Sequence, residues 1–187
     1  PRQLTFANGS AVVDSSFFDF RTVDLRFREW KLYDFVNRIP LRIDITRSHI
    51  DFSTVAKFTK KPRKWRSVID FSGTYNGRVC DARGVVRRAS FGTTELSDCA
   101  YSIRGIPDIA NTVFNIRIDR MLSSVADLYG AAADFSNKPF APLPGYVLKD
   151  GRLELTGNFS GKLNDFIAAC TVQQPEGGGA ALNLNLR

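Results

Sequence analysis

The residues that could carry out chemistry in this chain are few and scattered. The sequence contains one histidine, His49, and three cysteines, Cys80, Cys99 and Cys170. The cysteines form no C-x-x-C pair and have no histidine nearby, so their spacing predicts neither a zinc site nor a redox site, and it does not say which of them could form a disulfide. Because His49 has no neighbouring nucleophile or base, we expect no catalytic residue, no cofactor and no metal, and we predict that the chain is not an enzyme.

Apolar side chains at alternate positions indicate a different chemistry, the binding of a hydrophobic ligand. In residues 39–46 and 113–118, apolar residues alternate with polar ones, which is the pattern of a strand with one apolar face. If such strands form one open sheet, their apolar faces line a groove. The residues predicted to line this groove and bind lipid are Leu41, Ile43, Ile45, Phe52, Ile69, Phe71, Phe114, Ile116, Ile118, Leu153, Leu155 and Phe159.

Residues 57–66 form a basic segment that supplies most of the excess positive charge. The formal net charge of the whole chain is +7. The segment contains no acid and also carries Trp65. A basic cluster attracts lipid headgroups or nucleic acid, and it can also be a solvated hairpin tip. We predict a headgroup-binding patch formed by Lys57, Lys60, Lys61, Arg63, Lys64 and Arg66.

Two segments of thirteen residues share one pattern and organise the chain. Residues 69–81 and 153–165 match position by position in chemical class, with Gly73 aligned to Gly157. A glycine inside an alternating strand marks a bulge, a bend or a close backbone approach. The repetition predicts two β-rich units of similar build within a larger sheet, although the same motif is also a common way to bend a strand.

The remaining segments are predicted to be strands, with one short helix. Residues 4–20 are predicted to form a strand pair divided at Asn8-Gly9, and residues 84–104 a second pair around a turn. The helix is predicted to begin at Ser124, with Asp127 in its first turn. A length of 187 residues suits a single β-rich unit, residues 1–187. Since alternation continues to the last residue, we expect this unit to be a fragment of a longer protein.

Several features recur in the order found in a known family. They are the block Ile69–Gly77, residues 91–96 (Phe-Gly-Thr-Thr-Glu-Leu), residues 103–108, the strand and helix start Ile116–Leu128, Pro144 and the block Leu153–Asp165. With these features, the segment from Ile69 to Leu186 resembles the C-terminal part of the TamB proteins, the translocation-and-assembly module of the AsmA-like group, in its Bacteroidetes form. The specificity lies in the order of the features, and residues 1–60 share only the general alternation.

The resemblance implies an open, curved β-sheet, taco-shaped in section (a β-taco), with a hydrophobic inner face and no catalytic residues. Proteins of this family are anchored in the inner membrane and cross the periplasm. They are implicated in outer-membrane protein assembly with a BamA-like partner and in phospholipid transport between membranes. The resemblance therefore implies a periplasmic segment whose groove binds phospholipid or unfolded outer-membrane β-strands.

Two other functions stay open on the residues alone. A closed β-sandwich has the same alternation, and as a carbohydrate-binding module it would need exposed aromatic residues such as Trp30, Trp65 or Tyr75. A nucleic-acid-binding β-domain would need aromatic residues interleaved with the bases, and Trp65 is the only one near the basic cluster, so we expect no nucleic-acid partner. The predicted fold is thus an open, curved antiparallel β-sheet with one short helix, and the alternative is a β-sandwich.

Overall fold

The computed structural model describes residues 2–27, 41–57, 67–77, 81–105, 111–129, 151–162, 165–174 and 178–186. Within these ranges the chain forms ten strands. In chain order they are β1 (Arg2–Val13), β2 (Ser16–Phe27), β3 (Leu41–Asp51), β4 (Ser67–Asn76), β5 (Asp81–Phe91), β6 (Thr94–Arg104), β7 (Val113–Ser124), β8 (Arg152–Lys162), β9 (Asp165–Gln174) and β10 (Gly178–Leu186). Two short helices follow β3 and β7, namely α1 (Phe52–Ala56) and α2 (residues 125–129).

The ten strands form one antiparallel sheet in which each strand pairs with its neighbours in the sequence. The order across the sheet is β1 to β10 without a crossover, and β1 and β10 do not pair with each other. Hairpin connections need only short links between adjacent antiparallel strands, so a meander is the simplest path for a chain of alternating segments. The predicted open antiparallel sheet is confirmed. The β-sandwich is wrong as a fold, because the described strands belong to one sheet and not to two.

The pairing register sorts the side chains onto two faces, since residues paired across an antiparallel joint lie on the same face. Ile43 pairs with Val23 and with Tyr75, and the row continues through Ile103 to Phe114. We call the face that carries this row the inner face and the opposite one the outer face. The large side chains of the inner face include Leu4, Phe6, Val13, Phe18, Phe20, Val23, Leu25, Leu41, Ile43, Ile45, Ile50, Ile69, Phe71, Tyr75, Val86, Phe91, Leu96, Tyr101, Ile103, Phe114, Ile116, Ile118, Met121, Leu153, Leu155, Phe159, Phe166 and Val172.

The joint between β3 and β4 contains a bulge. Ile45 pairs with Gly73, and the next pair is Ser48 with Phe71, so β3 has one residue more than β4 at this level. Residues 46–47 both lie exposed. A bulge of this kind bends its strand and increases the local twist. Because of the extra residue, Ile45 and Ser48 lie on the same face although they are three residues apart.

The joint between β7 and β8 contains the same bulge at the same level. Ile118 pairs with Gly157, and the next pair is Met121 with Leu155. Because Gly73 and Gly157 are also aligned in the two thirteen-residue copies, β4 and β8 occupy equivalent places. The chain from β1 to β8 thus contains two successive units of four strands.

Both helices are attached to the sheet in equivalent ways. Asp51 accepts hydrogen bonds from the backbone amide of Ser53 in α1 (2.8 Å) and from the hydroxyl of Ser15 in the β1–β2 turn (3.1 Å). The hydroxyl of Ser124 accepts a hydrogen bond from the amide of Asp127 (3.1 Å), and the Asp127 carboxylate accepts one from the backbone of the β5–β6 turn (2.8 Å). The predicted helix cap at Ser124 is confirmed. Each helix thereby joins the third strand of its unit to the preceding hairpin.

The predicted division of residues 4–20 at Asn8-Gly9 is wrong. Strand β1 runs through both residues, with Asn8 at a φ of 50°, and the hairpin turns at residues 14–15. The ring of Phe20 lies so close to Gly9 that a Cβ there would be 2.2 Å from it. The glycine is therefore needed for a close approach within the strand, and not for a turn.

We expect Gly73 and Gly157 to be intolerant of any side chain. A Cβ on Gly73 would lie 2.5 Å from the carbonyl oxygen of Arg83, and a Cβ on Gly157 would lie 2.5 Å from that of Ala169. Because these contacts are with backbone, relief requires the strands to separate. Gly73→Ala and Gly157→Ala should each lower the free energy of unfolding by about 1–3 kcal/mol, measured by urea titration with circular dichroism.

The matched control is Gly151→Ala, since nothing lies within 4 Å of a Cβ at that position. It should change the free energy of unfolding by less than about 0.5 kcal/mol. Similar losses at all three glycines would contradict the close-approach explanation and point to a general effect on the unfolded chain.

Candidate functional site

Aromatic rings meet on the inner face near its β1 end. The ring centroids of Phe18 on β2 and Phe71 on β4 lie 6.4 Å apart, with an interplanar angle of 75°. Ser48 lies between them on β3, donates a hydrogen bond to the carbonyl oxygen of Phe71 (2.7 Å) and is 1% exposed. Strands two apart in a sheet are separated by about 9.6 Å, so the small serine lets the two rings approach each other above it.

A second aromatic cluster lies on β7, β8 and β9. The ring of Phe159 lies 6.5 Å from that of Phe114 and 4.7 Å from that of Phe166, measured between centroids. A shallow depression of about 280 Å³ lies on the opposite side of these strands, since six of its nine lining residues, among them Asn115, Arg117 and Asn158, are outer-face positions. The inner face itself presents aromatic rings and aliphatic side chains that remain partly exposed.

The most buried side chains of the described residues are hydroxyls and not large hydrocarbons. The buried hydrophobic residues are Leu25, Ala89 and Cys99. In a closed sandwich, the large apolar side chains between the sheets would be the most buried. The buried polar residues, with exposures from 0% to 4%, are Ser16, Ser48, Thr54, Thr94, Thr112 and Ser123.

Most of the large apolar side chains of the inner face remain partly exposed. Leu25 is buried at 7% exposure, Phe6 and Val13 are 48% and 44% exposed, and the others named above fall between the buried and the exposed class. A sheet in a globular domain normally has a second layer that covers its apolar face.

Eleven of the twelve residues predicted to line the groove share the inner face. They lie on β3, β4, β7 and β8. Leu41 of β3 pairs with Leu25 of β2, and Leu153 of β8 pairs with Ser123 of β7. The exception is Phe52, which begins α1 beyond the end of β3. The open sheet thus brings the predicted groove residues together.

Sequence reasoning missed the inner-face residues of β6, because alternation breaks within that strand. The pairing places Leu96, Cys99, Tyr101 and Ile103 on the inner face, so one step is three residues long instead of two. Asp98, with a φ of 50°, lies within this longer step. A pattern search that allows one extra residue in each strand would have found these positions.

Burial shifts the pKa of two ionisable groups of the inner face. Burial raises the pKa of the Cys99 thiol, and the nearby carboxylate of Asp119 raises it further. Burial also raises the pKa of the Tyr101 hydroxyl. The described inner-face positions of β2 to β9 carry no Asp, Glu, Lys or Arg, whereas the register places Arg2 of β1 on this face.

The outer face carries charged side chains of both signs that meet across the strand joints. The cross-strand pairs are Arg21 with Asp44 (3.4 Å), Arg47 with Asp19 (3.0 Å), Arg88 with Asp70 (3.6 Å) and Arg120 with Glu154 (3.2 Å). Exposed ion pairs of this kind contribute little to stability individually. Their alternation gives the described outer face no one-signed surface of the kind that binds nucleic acid.

His49 lies on the outer face and pairs with Asp70 at 2.5 Å, measured from Nδ1 to Oδ1. Its ring stacks against that of Phe17 (5.9 Å between centroids), and the guanidinium of Arg47 lies 4.9 Å from the Phe17 ring centre. A catalytic base would need a nucleophile in hydrogen-bond contact. Among the described residues, no hydroxyl or thiol is hydrogen-bonded to His49, and the histidine links β3 to β4 instead.

The predicted headgroup patch is described only at Lys57. This side chain is 62% exposed and forms an ion pair with Asp14 at 2.9 Å. Such an exposed pair contributes little to stability. The predicted positions that lie outside the described residues are Trp30, Lys60, Lys61, Arg63, Lys64, Trp65, Arg66 and Cys80.

The described ranges contain neither a candidate metal centre nor a helix that could span a membrane. No group of three His, Cys, Asp or Glu side chains there could hold a metal ion. No helix there is long and apolar enough to cross a membrane. In comparisons with known proteins, no family model, no curated protein and no solved structure matches the chain.

Two free cysteines of the inner face provide a test of its exposure. Cys99 is 5% exposed, whereas Cys170 is partly exposed. Because burial also raises the pKa of the Cys99 thiol, its reactive thiolate is scarce. We expect iodoacetamide at neutral pH to modify Cys170 at least about tenfold faster than Cys99, measured by peptide mass mapping over time.

The same reaction in concentrated urea is the control, since unfolding should bring the two rates together. Equal rates in the folded protein would contradict the burial of Cys99 beneath an otherwise open inner face.

Proposed function

We propose that the inner face binds the acyl chains of phospholipids, and that the chain is a non-enzymatic segment of a periplasmic protein that moves lipid between membranes. The supporting observation is the partial exposure of a continuous apolar face on an open sheet, while the most buried side chains are hydroxyls. A large apolar surface on a folded protein marks a site for a ligand or partner.

The dimensions of the sheet suit this ligand. Ten strands at a spacing of about 4.8 Å extend about 43 Å across the sheet. The acyl region of one leaflet is about 15 Å deep, so more than one lipid fits along the face. Covering ten methylenes contributes about 8 kcal/mol relative to water, which offsets the similar amount lost when those methylenes leave the membrane.

The chemistry of the face also suits movement of the ligand. The described inner-face positions of β2 to β9 carry no charged residue, so no salt bridge there holds a lipid at one place. The acyl chain can then move from one set of apolar side chains to the next with little change in free energy. The basic segment that begins near Lys57 would contact the headgroups.

The resemblance to the TamB family supports the same proposal. In this setting the sheet is one stretch of a path across the periplasm, within a protein anchored in the inner membrane. Unfolded outer-membrane β-strands are the second cargo that the resemblance implies, with a BamA-like protein as the outer-membrane partner.

A carbohydrate-binding module is less well supported. The outer face has a polar depression of about 420 Å³, to which Arg117, Asp119 and Asn158 contribute. The residues that line it include no aromatic side chain on which a sugar ring could stack. Tyr75, the described candidate for such a ring, lies on the inner face.

A charge introduced on the inner face tests the proposal. Ile116 lies in the row between Tyr101 and Phe159 and is partly exposed, so Ile116→Asp should fold. An acyl chain that covered this position would bury the new carboxylate, which is unfavourable. We therefore expect phospholipid binding to weaken at least about tenfold. The measurement is native mass spectrometry of the purified protein, together with uptake of phospholipid from vesicles.

The matched control is Asn115→Asp, which adds the same charge at the neighbouring exposed position on the outer face. Asn115 accepts a hydrogen bond from Ser160 (2.7 Å), and a carboxylate can accept it equally. This variant should bind lipid like the wild type. A wild type that takes up no phospholipid, or an equal loss in both variants, would overturn the proposal.

A further inference from the structure

Two glycines lie opposite each other in the middle of the inner face. Gly73 on β4 pairs with Gly84 on β5, and Gly73 also pairs with Ile45 of the inner face. Neither residue has a side chain, so the apolar surface is interrupted there across two strands. A Cβ on Gly84 would overlap the backbone oxygen of Ser72, so the close approach of β4 and β5 requires glycine. We call this place the glycine gap.

The side chain of Tyr101 extends from β6 across the glycine gap. Tyr101 pairs with Gly84, and its hydroxyl oxygen would lie 2.8 Å from a Cβ on Gly84 and 2.6 Å from a Cβ on Gly73. A side chain that stands upright on a sheet would carry its end away from the neighbouring strands. The ring of Tyr101 therefore lies along the sheet, over β5, and places its hydroxyl at the joint between β4 and β5.

The hydroxyl of Tyr101 has no hydrogen-bond partner among the described residues. By contrast, the buried hydroxyl of Ser48 donates to the carbonyl oxygen of Phe71, and that of Thr94 pairs with Ser123. Every fully buried side-chain N or O atom of the described residues has a partner, so the Tyr101 oxygen remains accessible on the inner face. A ligand that covers it and excludes water must supply an acceptor, or the buried donor is left unpaired.

The surroundings of the hydroxyl determine which acceptor fits. Burial raises the pKa of Tyr101, so the group stays an O–H donor at neutral pH. Ile45, Phe71 and Val86 lie next to the glycine gap on the same face. The described inner-face positions of β2 to β9 provide no Lys or Arg to neutralise a phosphate or a carboxylate. The matching acceptor is an uncharged oxygen on a hydrocarbon chain, which is the chemistry of an acyl ester carbonyl.

We propose that the Tyr101 hydroxyl donates a hydrogen bond to the ester carbonyl of a lipid whose acyl chain lies on the inner face. The inference rests on the proposed function and adds the group that is recognised and the place of its recognition. Apolar side chains continue across the sheet on both sides of the carbonyl, with Ile45 in one direction and Ile116 in the other. One neutral hydrogen bond favours an ester lipid about three- to tenfold, which still allows the lipid to leave.

Competition between an ester lipid and an ether lipid tests the inference. The protein is incubated with vesicles that contain equal amounts of dioleoyl phosphatidylcholine and of its ether-linked analogue, which has the same headgroup and chains but no carbonyl. The lipids bound to the protein are then extracted and quantified by mass spectrometry. The wild type should take up more ester lipid than ether lipid. In Tyr101→Phe the ratio of ester to ether lipid should fall about three- to tenfold, while uptake of the ether lipid should not decrease.

The matched control is Tyr75→Phe, which removes a tyrosine hydroxyl from the same face. The ring of Tyr75 lies near Gly77, since its Cε1 atom would be 3.4 Å from a Cβ there, and so it lies away from the glycine gap. This variant should keep the ester-to-ether ratio of the wild type. Tyr101→Phe itself should fold, because it removes only an oxygen that has no partner among the described residues.

The possible failures can be told apart. An unchanged ratio in Tyr101→Phe, including an equal loss of both lipids, would overturn this inference and leave lipid binding by the inner face in place. The same fall in Tyr75→Phe would also overturn it, because the effect would then not depend on the glycine gap. A wild type that takes up neither lipid would overturn the proposed function, and this inference with it.

Discussion

An apolar sheet face without a second layer over it, among the described residues, is the constraint on which the other features depend. Burial of apolar surface is the main favourable term in folding, and here most of the large apolar side chains of the inner face keep part of their surface exposed. Backbone pairing between strands and buried hydroxyl contacts, such as that of Thr94 with Ser123 (2.6 Å), supply much of the internal order. A ligand that covers the inner face therefore also stabilises the fold by mass action.

The local bends of the sheet depend on the positions of the extra residues and of the glycines opposite them. Bulges in β3 and β7 lie opposite Gly73 and Gly157, and each glycine lets the next strand come close. The extra residue bends one strand while the glycine keeps its neighbour in contact through the bend. The repetition of this device after four strands makes the two halves of the sheet similar, although their sequences differ at most positions.

Alternation predicted the sheet and most of the inner face, because side chains in a strand point to opposite faces at every second residue. It failed where the strand itself departs from that period. On β6 the extra residue near Asp98 hid the inner-face positions, and Asn8-Gly9 resembled a turn although Phe20 packs over that glycine within a paired strand. Neither fact is local in sequence, since each depends on the partner strand. The position of Phe52 at the start of a helix was not predicted either, because nothing in its apolar character shows that α1 begins there.

The two kinds of cargo place different demands on this molecule. An acyl chain has no hydrogen-bonding groups, so the apolar inner face can cover it without leaving a polar atom unpaired. An extended peptide laid on the same face would bury N–H and C=O groups, and each unpaired group costs about 1–3 kcal/mol. The face itself offers no backbone partners, because the N–H and C=O groups of paired strands bond to each other. On this ground an acyl chain suits the proposed inner-face site better than an extended peptide does.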